Sequence, residues 1–197
     1  MRYVIGLTGG IACGKSNISR ALRAEGAFIA DADEISHELT ASGGKALPLI
    51  REAFGDSVFR GEELDRRALA DTVFSDSEKR NKLNAILHPM IFSELRERLE
   101  LHDGVSVLEA PLLYECGLEN ECDEVWCAYI PQEEQVKRVM KRDSVSHAQA
   151  LARIRSQMPA LEKARRADRV IRTSGTKEES ARQVLGLWRE TLKRVEE

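Results

Sequence analysis

A chain of 197 residues with 42% hydrophobic and 32% charged side chains can bury one full core, which excludes a disordered or fibrous protein. Its net charge of −3 gives no general attraction to nucleic acid or to an anionic membrane, so any basic site has to be local. Aromatic residues, at 5%, are too sparse for a base-stacking platform.

The opening residues, MRYVIGLTGG, hold one charge and an apolar run too short to span a membrane, with no signal-cleavage pattern. The four cysteines, Cys13, Cys116, Cys122 and Cys127, show neither CxxC spacing nor a partnered histidine pair. That argues against zinc and against a disulfide framework, and the expectation is a cytoplasmic protein with reduced thiols. Val4, Ile5 and Leu7 predict a buried strand ending at Gly9-Gly10, and residues 16–25 predict a helix with Ile18, Ala21 and Leu22 on one face. Residues 27–30 predict a second strand that stops at Asp31-Ala32-Asp33.

From residue 34 to about 102 the pattern is helical, with breaks at Gly43-Gly44, across 55–61 and at Pro89. Ser75 and Glu78 have capping-box spacing, and Leu83, Ile86, Leu87 and Met90 recur at helical period. Proline lacks an N–H and clashes with the preceding turn, so a kink or restart is expected at His88-Pro89. Residues 105–108 and 125–130 predict the third and fourth strands. Pro131 opens a helix to about 142, and Ser146 with Gln149 caps another to about 158. Residues 169–172 predict the last strand. Thr176 with Glu179 caps a final helix that turns Ala181, Val184, Leu185, Trp188 and Leu192 inward.

Short apolar strands alternating with helices predict an α/β fold built on a parallel sheet covered on both faces. Ligands then sit at the carboxyl ends of the strands. The helical stretch between strands two and three is too long for a simple crossover and reads as a substrate lobe.

Gly9, Gly14, Lys15 and Ser16 match GxxxxGK[ST], with Gly10, Ile11, Ala12 and Cys13 between them, directly after a strand and before a helix. Glycines let successive N–H groups converge on phosphate oxygens, and the helix start adds its positive end. Lys15 is expected to reach the β- and γ-phosphates and Ser16 to offer its hydroxyl to Mg²⁺. The nearest match to a guanine-reading NKxD, Asn81-Lys82-Leu83-Asn84, lacks the Asp, so ATP is the expected nucleotide.

Asp31 and Asp33 follow strand two at the sheet edge that carries the loop. Asp31 is expected to cap the next helix and to meet Mg²⁺ through water, and Asp33 to take the acceptor hydroxyl's proton. Gln135, Arg138 and Arg142 share a helix face, as do Arg153 and Gln157 on the next helix. Beside a phosphate loop this reads as a mobile lid whose phosphate contact is Arg142.

The segments IGLTGGIACGKS, DADEISHEL, LHPMI, APLLYE, CDEVWCAYI, QVKRVMKRD, ARIRSQMP, EKARRAD and RVIRTSG, in this order, resemble the bacterial dephospho-CoA kinases over nearly the whole chain. The resemblance implies a single domain with a three-layer P-loop kinase fold and a five-stranded parallel sheet. Its core would take residues 1–34, 103–138 and 160–197, its helical acceptor lobe 35–102 and its lid 139–159. It implies Mg²⁺-dependent transfer of the ATP γ-phosphate to the ribose 3′-hydroxyl of dephospho-CoA, the last step of coenzyme A synthesis. Asp33 falls on the family's catalytic aspartate and His88 in its His-Pro motif, where a substrate contact is one reading and a packing role another. Glu115 is open to the same two readings. Members often have Asp where this chain has Glu109, a carboxylate still able to meet the metal through water, and Asn where it has Thr173. The expected partners are dephospho-CoA and ATP, without nucleic acid or membrane, for a monomer, with weak self-association as the alternative. Two other readings stay open: another P-loop small-molecule or nucleotide kinase, and a non-catalytic ATP-binding regulator.

Overall fold

The computed structural model describes residues 2–74 and 76–196, so the cap expected of Ser75 lies outside the described residues. The chain folds as two compact units, Met1–Ala30 with Leu101–Glu197 and, between them in sequence, Asp31–Glu100. The apolar run from Val4 forms β1 (Arg2–Gly9), and the following turn leads into α1 (Lys15–Ala24), where Ile18 and Leu22 are fully buried. β2 (Phe28–Asp31) comes next.

In the second unit, Asp31 accepts the N–H groups of Asp33 and Glu34 at 2.8 and 3.3 Å and so caps α2 (Ala32–Leu39), as expected. Then follow α3 (Leu47–Phe54), the hairpin β3 (Phe59–Arg60) and β4 (Glu63–Leu64), α4 (Arg66–Phe74) and α5 (Ser77–Glu100). The hairpin is not predicted by the sequence pattern, because two-residue strands are too short to show alternation. Helices α2, α3 and α4 pack on α5.

Of the kink or restart expected at Pro89, the restart does not occur: α5 continues through it for 24 residues in all. Ala85 and Pro89 are both exposed, so the carbonyl that loses its partner is open to water. Burial of Ile91, Leu95 and Leu99 then holds the second half of the helix in place.

The first unit resumes with β5 (Gly104–Glu109), β6 (Glu124–Tyr129), α6 (Gln132–Asp143) and α7 (His147–Arg155), which starts at the Ser146–Gln149 capping box. α8 (Ala160–Arg166) is a seven-residue helix, too short to reveal a period in sequence, and β7 (Arg169–Arg172) and α9 (Lys177–Glu196) complete the chain. Thr176 and Glu179 exchange side-chain-to-backbone bonds at the start of α9.

The five parallel strands run in the order β2-β5-β1-β6-β7. β1, β5 and β6 are buried as continuous runs, as central parallel strands covered on both faces must be. Ile5, Leu7, Trp126 and Ile171 from the sheet, Ile18 and Leu22 from α1, and Val184 and Trp188 from α9 form one core. With β1 at the centre, its carboxyl end is the fixed point from which the following loop projects.

At the opposite edge, buried Glu124 accepts bonds from Tyr3 at 3.0 Å and Arg169 at 3.1 Å, and from Arg194 on α9. Burial alone would raise its carboxyl, but the hydrogen bonds from Arg194, Tyr3 and Arg169 outweigh it and hold it below the usual range.

Candidate active site

The loop from Gly9 to Ser16 is shaped by close approach and by left-handed backbone. A Cβ on Gly9 would lie 2.6 Å from the Ala128 carbonyl oxygen, so only glycine lets β1 leave the sheet here. Ala12 sits at φ 60°, a conformation that costs an L-residue about 1–2 kcal/mol, and Gly14 at φ 85°. No side chain caps the first turn of α1 and no acid occupies it, which suits an anion at the helix start.

Surrounding side chains hold this shape. Gln135 donates to the Ile11 carbonyl at 2.8 Å, while the Ile11 N–H donates to Gln157 at 3.1 Å. The Thr173 hydroxyl, which is buried, donates to the Cys13 carbonyl at 2.7 Å, and Arg138 donates to the Thr173 carbonyl at 2.5 Å. Lys15 Nζ donates to the Gly9 carbonyl at 3.2 Å, so the lysine arches over the loop it belongs to. Burial pushes the Cys13 thiol above its ordinary value, which keeps it protonated and uncharged at neutral pH.

Behind the loop, Ser19 of α1 donates to the buried Glu109 carboxylate at the end of β5. Ser16 lies three residues before Ser19, exposed in the first turn of α1. Oxygen donors of this kind suit Mg²⁺, which takes one or two protein ligands and fills its sphere with phosphate and water.

The arginines of the segment expected to form a lid are engaged with a neighbouring carboxylate. Arg142 donates to Asp143 at 2.6 and 3.1 Å and Arg153 to the same carboxylate at 2.6 Å. Hydrogen bonds from Arg142 and then Arg153 hold the Asp143 carboxyl below its usual range. Arg138, not Arg142, is the helix-α6 arginine that reaches the residues bracing the loop. Val136, Val139, Ala150 and Ile154 join α6 to α7, and Ile11 and Ala12 of the loop pack against that cluster.

Glu115 accepts from Lys163 at 2.8 Å and from the Met158 N–H at 2.8 Å, and Lys163 itself is fully buried. It therefore ties the segment after β5 to the base of the predicted lid.

In the second unit, Asp33 is exposed in the first turn of α2. His88 is half-buried on α5 with its ring 5.6 Å from that of Phe92, and burial lowers its pKa, so the imidazole is neutral at pH 7. The sequence pattern offered no signal for Lys163, which looks like part of a solvated charge run. Nor did it mark the Thr173 hydroxyl, whose partner is 160 residues away.

The family model described as CoaE, dephospho-CoA kinase, matches residues 3–179. The chain belongs to the dephospho-CoA kinase family. The dephospho-CoA kinase of Geobacter sulfurreducens is 43% identical over 190 residues, covering 94% of this chain and 96% of its own. That of Carboxydothermus hydrogenoformans is 42% identical over 187 residues, with 92% and 91% covered. The solved dephospho-CoA kinase of Campylobacter jejuni superposes with a TM-score of 0.74 at 27% identity over 98% of both chains. Membership makes the chain a kinase with ATP as co-substrate, which removes the non-catalytic reading. Among the described residues, no helix is long and apolar enough to cross a membrane.

Proposed function

We propose that this dephospho-CoA kinase transfers the ATP γ-phosphate to the ribose 3′-hydroxyl of dephospho-CoA, with the residues in the following roles. The observation that carries the reading is the loop from Gly9 to Ser16, braced on several backbone atoms and ending in an uncapped helix start. Its N–H groups and Lys15 bind the β- and γ-phosphates. The Ser16 hydroxyl would hold Mg²⁺, with Glu109 or Asp31 acting through water. The metal, when bound with the nucleotide, neutralises charge on the phosphate oxygens.

Asp33 orients the 3′-hydroxyl and accepts its proton as the oxygen attacks the γ-phosphorus and ADP departs. Its exposure on a short helix turn leaves the carboxylate accessible for that task. Arg142 exchanges Asp143 for the transferring phosphate when the lid, residues 139–159, closes. His88, being neutral, serves the acceptor as a hydrogen-bonding group and not as a cation. Glu115 acts on the acceptor from the anchored position that Lys163 gives it. The core, acceptor lobe and lid act as parts of one domain, in a cytoplasmic monomer with no nucleic-acid or membrane partner.

Phosphorus NMR of the product tests the reaction. A new phosphomonoester on the 3′ carbon, formed with one ADP per acceptor, is expected. A phosphate elsewhere on the acceptor, or ADP released at the same rate without it, would contradict the proposal.

A further inference from the structure

The two peptide groups that flank the Ile11 Cα are each gripped by an amide that the transfer chemistry does not use. Gln135 Nε2 donates to the Ile11 carbonyl and Gln157 Oε1 accepts the Ile11 N–H. The backbone fixes the polarity, since a carbonyl needs a donor and an N–H needs an acceptor. Gln135 is 2% exposed, an unusual place for a glutamine. Gly10 makes room for it: a Cβ there would lie 2.6 Å from Gln135 Nε2. The residue after Ile11 is Ala12, held in the left-handed region. Both glutamines come from the α6–α7 segment, one on α6 and the other just past the end of α7.

We propose that Gln135 and Gln157 are positioning residues for phosphoryl transfer. Together they fix the two peptide planes that meet at Ile11, keep Ala12 in its costly conformation and hold the loop in shape for a triphosphate before the nucleotide arrives. Because both amides sit on the segment that carries the lid arginines, loop shape and lid position are coupled through one residue, Ile11. The inference rests on the reading that the loop holds ATP.

Matched substitutions test it, because the same change has opposite consequences at the two positions. Gln157→Glu keeps an acceptor for the Ile11 N–H and is expected to stay within about twofold of wild type in kcat/KM for ATP. Gln135→Glu sets a carboxylate against the Ile11 carbonyl and is expected to lose on the order of ten- to a hundredfold, with KM for dephospho-CoA unchanged. Gln135→Met removes the donor without burying a charge and is expected to lose about tenfold in the same parameter. Gly10→Ala displaces the amide while leaving it in the sequence, so it should reproduce the Gln135→Met defect, and the double variant should be no worse than either alone.

Equal losses from the two Glu substitutions, a defect expressed in KM for dephospho-CoA, or wild-type kinetics in both Gln135→Met and Gly10→Ala would overturn the proposal. Calorimetric titration of the wild-type protein with ATP separates the two levels. Absence of ATP binding there would overturn the nucleotide reading itself, whereas normal binding with indifferent glutamine variants would overturn only the clamp.

Discussion

Around the phosphate loop, polar side chains serve particular backbone atoms, Gln135 and Gln157 on Ile11 and Thr173 on Cys13, and Gln135 and Thr173 are buried. In the Asp31–Glu100 unit several charged side chains pair with one another at the surface. Arg60 with Asp65 and Arg98 with Glu38 and Glu94 are examples, and Arg60 is 80% exposed. The difference follows from what each region has to hold. A loop that presents N–H groups to phosphate needs its peptide planes fixed and keeps a strained alanine, so bonds from distant elements are worth their desolvation. Surface pairs contribute about 0–1 kcal/mol each and leave helices free to shift.

The largest effect should come from the lightly held region. Asp33→Asn is expected to lower kcat by roughly 10²–10⁴-fold while ATP affinity and folding stability stay near wild type. Near-normal turnover would remove Asp33 as the proton acceptor, and a matching loss of stability would make its role structural.

A charge pair with one fully buried partner and a surface pair offer the next contrast. Lys163→Met removes the buried partner of Glu115 and should cost about 2 kcal/mol in urea unfolding. Arg60→Ala should cost less than about 0.5 kcal/mol by the same measurement. Equal costs would erase the distinction between the two regions. Thr173→Val deletes only the hydroxyl under the loop and should cost about 1 kcal/mol, read as a roughly fivefold weaker ATP affinity with dephospho-CoA binding unchanged.

The smallest effect concerns pH at the far edge of the sheet. Folding holds the Glu124 carboxyl below its ordinary value of 4.5, so below that pH the unfolded chain binds more protons than the folded one. The contribution of Glu124 is therefore complete above about pH 4.5 and fades as pH falls through the lower folded value. Unfolding of the wild type and of Glu124→Gln should converge in acid, and a gap that widens there would reverse the assigned sign.

Much of the fold is legible in the chain because its signals are local. The β1 run, the loop glycines and the caps at Asp31, Ser146 and Thr176 each depend on residues only a few positions apart. The braces are not legible, since Gln135 and Thr173 find their partners 124 and 160 residues away. Pro89 misled in the other direction. Its local rule is sound, but exposure of the affected carbonyl and burial of Ile91, Leu95 and Leu99 outweigh it. At the site, the loop was readable as chemistry, whereas Lys163 was hidden among ordinary charged neighbours and Arg138 gave no sign that it would reach Thr173.

The most direct test of the whole account is the initial rate of acceptor-dependent ADP release, measured side by side with dephospho-CoA and with AMP. Release with dephospho-CoA at a rate at least about a hundredfold above that with AMP is the predicted result. Comparable release with AMP and none with dephospho-CoA would contradict it.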